Sequence, residues 1–304
     1  MPELPEVETI VRGLRRKMIG WKFSRSEILT AKCLRGSRNE FCESLSGRSV
    51  VEFSRRGKNI VFHLSGGAAL VVHLRMTGQL HLVPPRAAPG EHTQAIFLFA
   101  GKREQLRFND TRKFGRIWLE ETGAAGEVPS LSRLGPEPLE ISCREFARRV
   151  QAKRRRIKPL LLDQDFLAGV GNIYADESLH RARIHPRRNS AELSRAELLR
   201  LCRALKRILK AAIRAGGTSV RSYVDSAGLR GGYQNFLRVY QRAGEPCRNC
   251  GGALVRETVG GRSTFFCPRC QPESPKTQSR AVRIQARAPL GQYDSRSSME
   301  AGDP

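Results

Sequence analysis

The sequence is short of acidic residues and of long apolar runs. No stretch of its 304 residues approaches the roughly 20 consecutive apolar positions that a membrane-spanning helix needs, which excludes such a span. The start, Met1-Pro2-Glu3-Leu4-Pro5-Glu6, lacks both the basic entry and the apolar core of a secretory signal, so export is not expected. The six histidines show no metal-ligand spacing, no phosphate-cradling P-loop is present, and no internal repeat is found. Acidic residues number 29 against 54 Lys plus Arg, leaving a formal net charge of +25. That excess argues against an ordinary metabolic enzyme and points to a polyanionic partner, nucleic acid before a membrane surface. At 39% hydrophobic residues the chain still buries real cores, and its length suits two domains with a small appendage.

Val7, Ile10, Val11, Leu14 and Met18 recur at helical spacing after Pro5, with Gly20 placed to end the helix. Residues 49–121 then read as strands: Val50 to Leu64, Ala69 to Val83, Ala95 to Phe108 broken at Gly101-Lys102, and Gly115 to Leu119. Leu134-Gly135-Pro136-Glu137-Pro138 reads as a linker, since its prolines and glycine disrupt both regular structures. Beyond it Ser142 with Glu145, and Ser194 with Glu197, are helix-start signatures, and Gly216-Gly217 should close the long second helix. From Gln271 the tail is rich in Pro, Ser, Gln and Arg and reads as disordered. Its five basic and four acidic residues nearly cancel, so the positive excess belongs to the folded body.

Cys247 and Cys250 form one C-x2-C pair and Cys267 and Cys270 another, the spacing of a four-thiolate zinc ribbon. With four protein ligands such a Zn²⁺ has no open position, so it holds shape and the catalytic groups lie elsewhere. Arg256, Arg262 and Arg269 in or beside the ribbon hairpin would bring cations to phosphate or base. Cys33, Cys42, Cys143 and Cys202 have no such spacing; Cys202, on the apolar face of the long helix, reads as buried packing in a reduced, cytosolic protein.

Removal of Met1 would expose the secondary amine of Pro2. An α-amino group titrates near 8 against about 10.4 for lysine, so its neutral fraction at pH 7 is larger by roughly two orders of magnitude. Attack of a secondary amine on an aldehydic sugar carbon gives an iminium, an electron sink that favours elimination at the neighbouring carbon. Glu3 and Glu6, within one turn, are placed to move protons. Pro and Glu also simply open many helices, and spacing alone does not separate the two readings.

Taken together, Met1-Pro2-Glu3-Leu4-Pro5-Glu6-Val7-Glu8-Thr9, Arg112-Lys113-Phe114-Gly115, Gly169-Val170-Gly171-Asn172-Ile173-Tyr174-Ala175 and the terminal ribbon closely resemble the bacterial formamidopyrimidine-DNA glycosylases, in the same order over residues 1 to about 271. The resemblance implies a bifunctional glycosylase and AP lyase that removes oxidised purines from double-stranded DNA and nicks the strand by β,δ-elimination. It makes Pro2 the Schiff-base nucleophile, Glu3 the acid/base, and Lys58 and Arg262 cations at the lesion phosphates. By the same resemblance Met76, Arg112 and Phe114 fill the hole left by the flipped nucleotide, Lys113 belongs to that DNA-contacting run, and Asn172 contacts the flanking backbone. On pattern alone Met76 and Phe114 read as strand core.

The 169–172 glycines precede a helix whose first N–H groups would suit a phosphate. The segment from Ser219 to Asn235 resembles the loop capping an extruded 8-oxoguanine. Two departures stand out: Arg154-Arg155-Arg156 keeps the charge but not the residues of the family's pattern, Arg154 being retained as a DNA contact, and Arg183 replaces the glycine that usually precedes Ile-His-Pro.

The expected architecture is α+β and multidomain: an N-terminal β-sandwich with its leading helix (1–133), a linker (134–140), a helical helix-two-turn-helix domain (141–240), a zinc ribbon (241–271) and a tail (272–304). One structural zinc ion, a DNA partner, no membrane, no nucleotide cofactor, a monomer and a cytoplasmic setting complete the expectation. The rivals are an endonuclease VIII-like enzyme acting on oxidised pyrimidines and a catalytically silent zinc-ribbon DNA-binding protein.

Overall fold

The structure is a computed structural model that describes residues 2–84, 87–124, 126–220 and 222–273. The tail from Ser274 onward and Arg221 of the predicted loop lie outside the described residues. The chain opens with α1 (Leu4–Met18), which buries Val7, Ile10, Val11, Leu14 and Met18 along one stripe and is followed by Gly20 at positive φ.

Eight antiparallel strands follow: β1 (Phe23–Ile28), β2 (Val50–Arg56), β3 (Asn59–Leu64), β4 (Ala68–His73), β5 (Gly78–Val83), β6 (Thr93–Phe99), β7 (Gln105–Asp110) and β8 (Arg116–Glu121). They form two four-stranded sheets of order β1-β6-β7-β5 and β2-β3-β4-β8. Phe53, Phe62 and Val72 from one sheet and Phe97, Leu106 and Phe108 from the other meet with the α1 stripe in a common core, which is the expected sandwich behind a helix. Each long strand read from the sequence divides in two: β2 and β3 form a hairpin about Gly57, β6 and β7 pair across the break at Gly101-Lys102, and the turn after His73 carries the chain from β4 in one sheet to β5 in the other. β1 and the short helix α2 (Arg38–Leu45) are additional to the expectation.

The helical part comprises α3 (Cys143–Gln151), α4 (Ile157–Leu162), α5 (Asn172–Ala182) and α6 (Arg195–Arg214) around a second core that includes Phe146, Leu160, Tyr174, Leu201 and Leu209. Ser142 and Ser194 cap α3 and α6 as the sequence suggests, and Gly216 and Gly217 take positive φ just past α6. The hairpin β9 (Val255–Val259) and β10 (Arg262–Phe266) completes the ribbon. Among the described residues no helix is long and apolar enough to cross a membrane.

Two readings change. Cys143 and Cys202 form a disulfide, Cα to Cα 5.6 Å, so Cys202 is not merely packing. The pair is 59 residues apart and joins α3 to the face of α6 it packs on, an adjacency that no local spacing reveals. The 134–138 stretch is also no loose tether: Gly135 donates to the Gln164 carbonyl, Ala168 donates to that of Pro136, and Glu137 is buried.

Arg183 ends α5 in the left-handed conformation at φ 56°, where a side chain costs about 1 kcal/mol that glycine avoids. Arg183→Gly is therefore expected to raise the unfolding midpoint in urea by an amount corresponding to about 0.5–1 kcal/mol.

Candidate active site

Pro2 and Glu3 enter the molecule at the point where α1, the β2–β3 turn and the start of α5 converge. Glu3 precedes the first turn of α1, and its N–H donates to Glu6 Oε2 at 2.8 Å. Its side chain is buried and crosses to α5, where Oε1 accepts from Ile173 N at 3.0 Å and Oε2 from Tyr174 N at 3.4 Å. The N-terminal N–H groups of α5, expected to face a phosphate, thus hold this chain's own carboxylate.

The glycines serve that approach. A Cβ on Gly171 would lie 2.3 Å from Glu3 Cδ, and Gly169, at φ +84°, packs on Leu4 while its carbonyl accepts from Leu4 N. Gly171→Ala is accordingly expected to displace the carboxylate and, for the glycosylase that the sequence resemblance implies, to slow base release by at least about a hundredfold while duplex affinity stays within a few-fold, measured by single-turnover excision beside a binding titration.

Glu6 is also buried. Its Oε1 accepts from Thr218 N at 2.7 Å and from the Tyr174 hydroxyl at 2.5 Å. Burial, reinforced by the neighbouring Glu3 carboxylate, pushes Glu6 to about 7. Burial likewise raises Glu3, opposed by the Lys58 ammonium and the two α5 N–H groups. Two adjacent buried carboxyl groups beside Pro2 therefore favour retaining a proton near neutral pH.

Lys58 stands on the β2–β3 turn and is buried, which lowers its pKa against the opposing pull of Glu3. The turn is fixed from outside: Glu137 accepts from Gly57 N at 2.7 Å, from Arg55 at 2.6 Å and from Arg56 at 3.3 Å, while Arg55 also pairs with Glu8 at 2.9 Å. Glu137, read only as linker, is therefore the residue that anchors the lysine turn. Arg262 is exposed at the start of β10, and its charge acts on both Lys58 and Lys158.

The ribbon hairpin is docked on the helices by a buried ion pair that sequence reasoning missed. Lys158 Nζ lies 2.7 Å from Asp176, and donates to Ser263 O at 2.9 Å and Thr264 Oγ1 at 2.8 Å. Asp176 accepts from Phe265 N at 3.0 Å, and Asn172 Nδ2 donates to Ser263 O at 2.8 Å. The available signal was a lysine inside the apolar run Ile157-Lys158-Pro159-Leu160-Leu161, since a buried lysine demands a partner.

The four ribbon sulfurs of Cys247, Cys250, Cys267 and Cys270 lie within 4.8 Å of one another, which fits one tetrahedral Zn²⁺ with Zn–S near about 2.3 Å. The remaining expected residues lie apart from the carboxylates. Met76 occupies the β4–β5 turn and Arg112, Lys113 and Phe114 the β7–β8 turn; Phe114 is 42% exposed, so neither Met76 nor Phe114 is strand core. Arg154 is exposed between α3 and α4 and makes no ion pair among the described residues.

The predicted loop is packed down on the site. Tyr223 Oη donates to the Glu6 carbonyl at 3.3 Å, Gln79 Nε2 to the Ser222 carbonyl at 2.5 Å, and Ser219 Oγ bridges Tyr223 O and Gly231 N at 2.8 Å each.

A proline at position 2 beside two buried carboxyl groups, a buried lysine and a four-cysteine ribbon on a basic body define a zinc-ribbon protein suited to nucleic acid. Family profiles match in order: the formamidopyrimidine-DNA glycosylase N-terminal domain at residues 1–117, that family's H2TH domain at 134–224, and the zinc finger found in FPG and IleRS at 244–272. The formamidopyrimidine-DNA glycosylases of Pelotomaculum thermopropionicum and Heliobacterium modesticaldum are each 47% identical over 89% of this chain and 99% and 100% of their own lengths. A Lactococcus lactis FPG mutant bound to Fapy-dG-containing DNA superposes with a TM-score of 0.83 at 35% identity, covering 89% of this chain and all of that one. The L. lactis Fpg on DNA with an abasic site superposes equally well, at 0.83 and 35% identity over 89% and 99%. The chain belongs to the formamidopyrimidine-DNA glycosylase family.

Proposed function

We propose that this chain excises oxidised purines, 8-oxoguanine and formamidopyrimidines, from duplex DNA and then cleaves the strand, with Pro2 as nucleophile and Glu3 as the proton-handling group. The observation that carries the reading is Glu3 itself, a buried carboxylate held on the N-terminus of α5 next to the residue whose amine Met1 removal exposes.

In this reading the Pro2 nitrogen lone pair attacks C1′ of the lesion nucleotide, the bond from C1′ to the base breaks, and the base leaves with a proton. Glu3, raised by burial, supplies that proton or protonates the sugar ring oxygen. Protonation of O4′ and cleavage of the C1′–O4′ bond then open the sugar ring and leave C1′ joined to Pro2 as an iminium, which acidifies C2′–H; loss of that proton expels the 3′ phosphate, and loss of the C4′ proton from the conjugated iminium expels the 5′ phosphate. Lys58 and Arg262 place positive charge where those phosphates depart. Cys247, Cys250, Cys267 and Cys270 would hold a zinc ion that would supply a structural cross-link.

Flipping a nucleotide costs about a few kcal/mol of stacking and leaves a hole, which in this reading Met76, Phe114 and Arg112 fill, Arg112 also bonding the orphaned cytosine. The relatives named above favour the purine branch over the endonuclease VIII-like alternative. The test is borohydride reduction of Met1-processed protein with duplex containing 8-oxoguanine opposite cytosine. A covalent adduct of protein and strand is expected; its absence would leave a DNA-binding protein without the lyase. Faster trapping on an oxidised pyrimidine would transfer the chain to the other branch.

A further inference from the structure

Four strand ends meet at one end of the sandwich. β4 and β8 belong to one sheet and β5 and β7 to the other, so the turn from β4 to β5 and the turn from β7 to β8 both cross between sheets. His73 pairs with Arg116 and Gly78 with Asp110, which sets these two crossings side by side. The first carries Met76 and the second carries Arg112, Lys113 and Phe114.

Between them lies Asp110, a carboxylate only 1% exposed. Its Oδ1 accepts from the Thr77 hydroxyl of one turn and from Arg112 N of the other at 3.2 Å; its Oδ2 accepts from Gly115 N at 2.7 Å. Thr77 Oγ1 also accepts from Arg112 N at 3.2 Å, closing a three-membered network. Gly115 admits no side chain here, since its Cβ would lie 2.3 Å from Phe108 Cζ. Arg116 clamps the same turn by donating to the carbonyls of Lys113, Phe114 and Gly115 at 3.3, 3.0 and 2.8 Å, and the Arg112 guanidinium stacks 4.7 Å from the Phe114 ring.

We infer that Asp110 is a positioning residue that binds Met76, Arg112 and Phe114 into a single wedge, so that filling the vacated stack and reading the orphaned base occur as one event. The inference rests on the DNA roles proposed above for those three side chains. A buried carboxylate accepting from two turns fixes their separation far better than two independent loops would, because the carboxylate itself and the buried Gly115 N–H would lose their partners away from water if the turns moved apart. The carboxylate holds the Arg112 backbone N–H, so it acts on recognition through Arg112 and not on the reacting atoms.

The test compares Asp110→Asn and Thr77→Val with the unaltered full-length protein in two assays. One is single-turnover excision of 8-oxoguanine placed opposite cytosine and opposite adenine. The other is strand cleavage at a preformed abasic site in a single-stranded oligonucleotide, which needs the Pro2 amine but has no opposite base to read. Asp110→Asn turns one acceptor into a donor facing N–H or O–H, and is expected to lower excision opposite cytosine about tenfold or more and to bring the cytosine-to-adenine ratio toward one. Thr77→Val removes only the bridge between the turns and should move the ratio in the same direction by less. Single-strand cleavage should change far less than duplex excision in both.

Equal losses in the two assays, or an unchanged cytosine-to-adenine ratio in both variants, would overturn the inference. If Asp110→Asn does not fold, the ratio measured with Thr77→Val decides alone. Failure of the underlying enzymatic reading looks different, because the unaltered protein would then cleave neither substrate.

Discussion

Glu3→Gln is expected to bind an 8-oxoguanine duplex with near-normal affinity and to release the base at least about a thousandfold more slowly, the scale of losing a positioned proton donor. The substitution is nearly isosteric, and an amide oxygen can still accept from Ile173 N at the Oε1 position. The other position becomes an NH₂ facing Tyr174 N, donor against donor, so some local cost in stability is also expected. What the amide cannot do is carry a proton to the leaving base. The reaction of Pro2 with a preformed abasic site has no base to expel, so cleavage of that substrate should fall much less. Single-turnover rates on the two substrates check the split; equal rates of base release from Glu3→Gln and unaltered protein would remove Glu3 from the chemistry.

The pH profile sharpens the same prediction. Excision needs the Pro2 amine neutral and a carboxyl group protonated, opposing demands that give a bell. The carboxyl groups of Glu3 and Glu6 are both raised by burial, Glu6 to about 7, so the descending limb lies above the acid range of free carboxylates. Removing Glu3's charge relieves the repulsion that helps raise Glu6, which should move the Glu6 titration to lower pH in Glu3→Gln. A fluorescence or NMR titration of the variant would register that displacement independently of turnover.

How much of this was readable beforehand depends on whether a feature is local. The apolar period and caps of α6, the stripe of α1 and the thiolate quartet declare themselves within a few turns of chain, and the structure repeats them. β1 was missed because Phe23-Ser24-Arg25-Ser26-Glu27-Ile28 buries only its two end residues, leaving no alternation to detect. α2 was missed for a similar reason, with only Phe41 and Leu45 inward. Glu137 reaches back 80 residues to Gly57, Lys158 reaches 106 residues on to Thr264 beside its partner Asp176, and Asp110 binds Thr77 across 33 residues where sheets cross, and nothing in their neighbours announces the partner. The glycines of 169–172 were correctly read as permitting a close approach to a helix N-terminus, but the group that approaches is Glu3, a fact that only the meeting of residues 3 and 173 reveals. The disulfide follows the same rule.

Loss of the metal should reach further than the ribbon. The ribbon's buried apolar cluster consists of Leu254, Phe265 and two of the cysteines themselves, Cys247 and Cys267, joined by Val239 from just before the ribbon, far too little to fold without a cross-link. Cys247→Ala, or chelation of the zinc, is therefore expected to unfold residues 244–271 and to weaken duplex binding by at least about a hundredfold, since Arg262 loses its platform and charge-assisted contacts are each worth about 1.5–3 kcal/mol.

The docking contacts extend the consequence. Ser263 and Thr264 are acceptors for Lys158, and Phe265 N is a donor to Asp176, so an unfolded ribbon leaves that buried pair with only itself. Asp176 lies one turn into α5, and the first turn of α5 holds Glu3. The zinc site is thus joined to the Glu3 carboxylate through a single helix, and base release at saturating DNA should also fall, by about tenfold, instead of remaining intact as a purely DNA-gripping role would require. Measuring zinc content, duplex affinity and single-turnover excision on one preparation of Cys247→Ala decides between them. Normal excision at saturating DNA would confine the ribbon to binding, whereas a loss of both would show that the ribbon helps to hold the carboxylate in place.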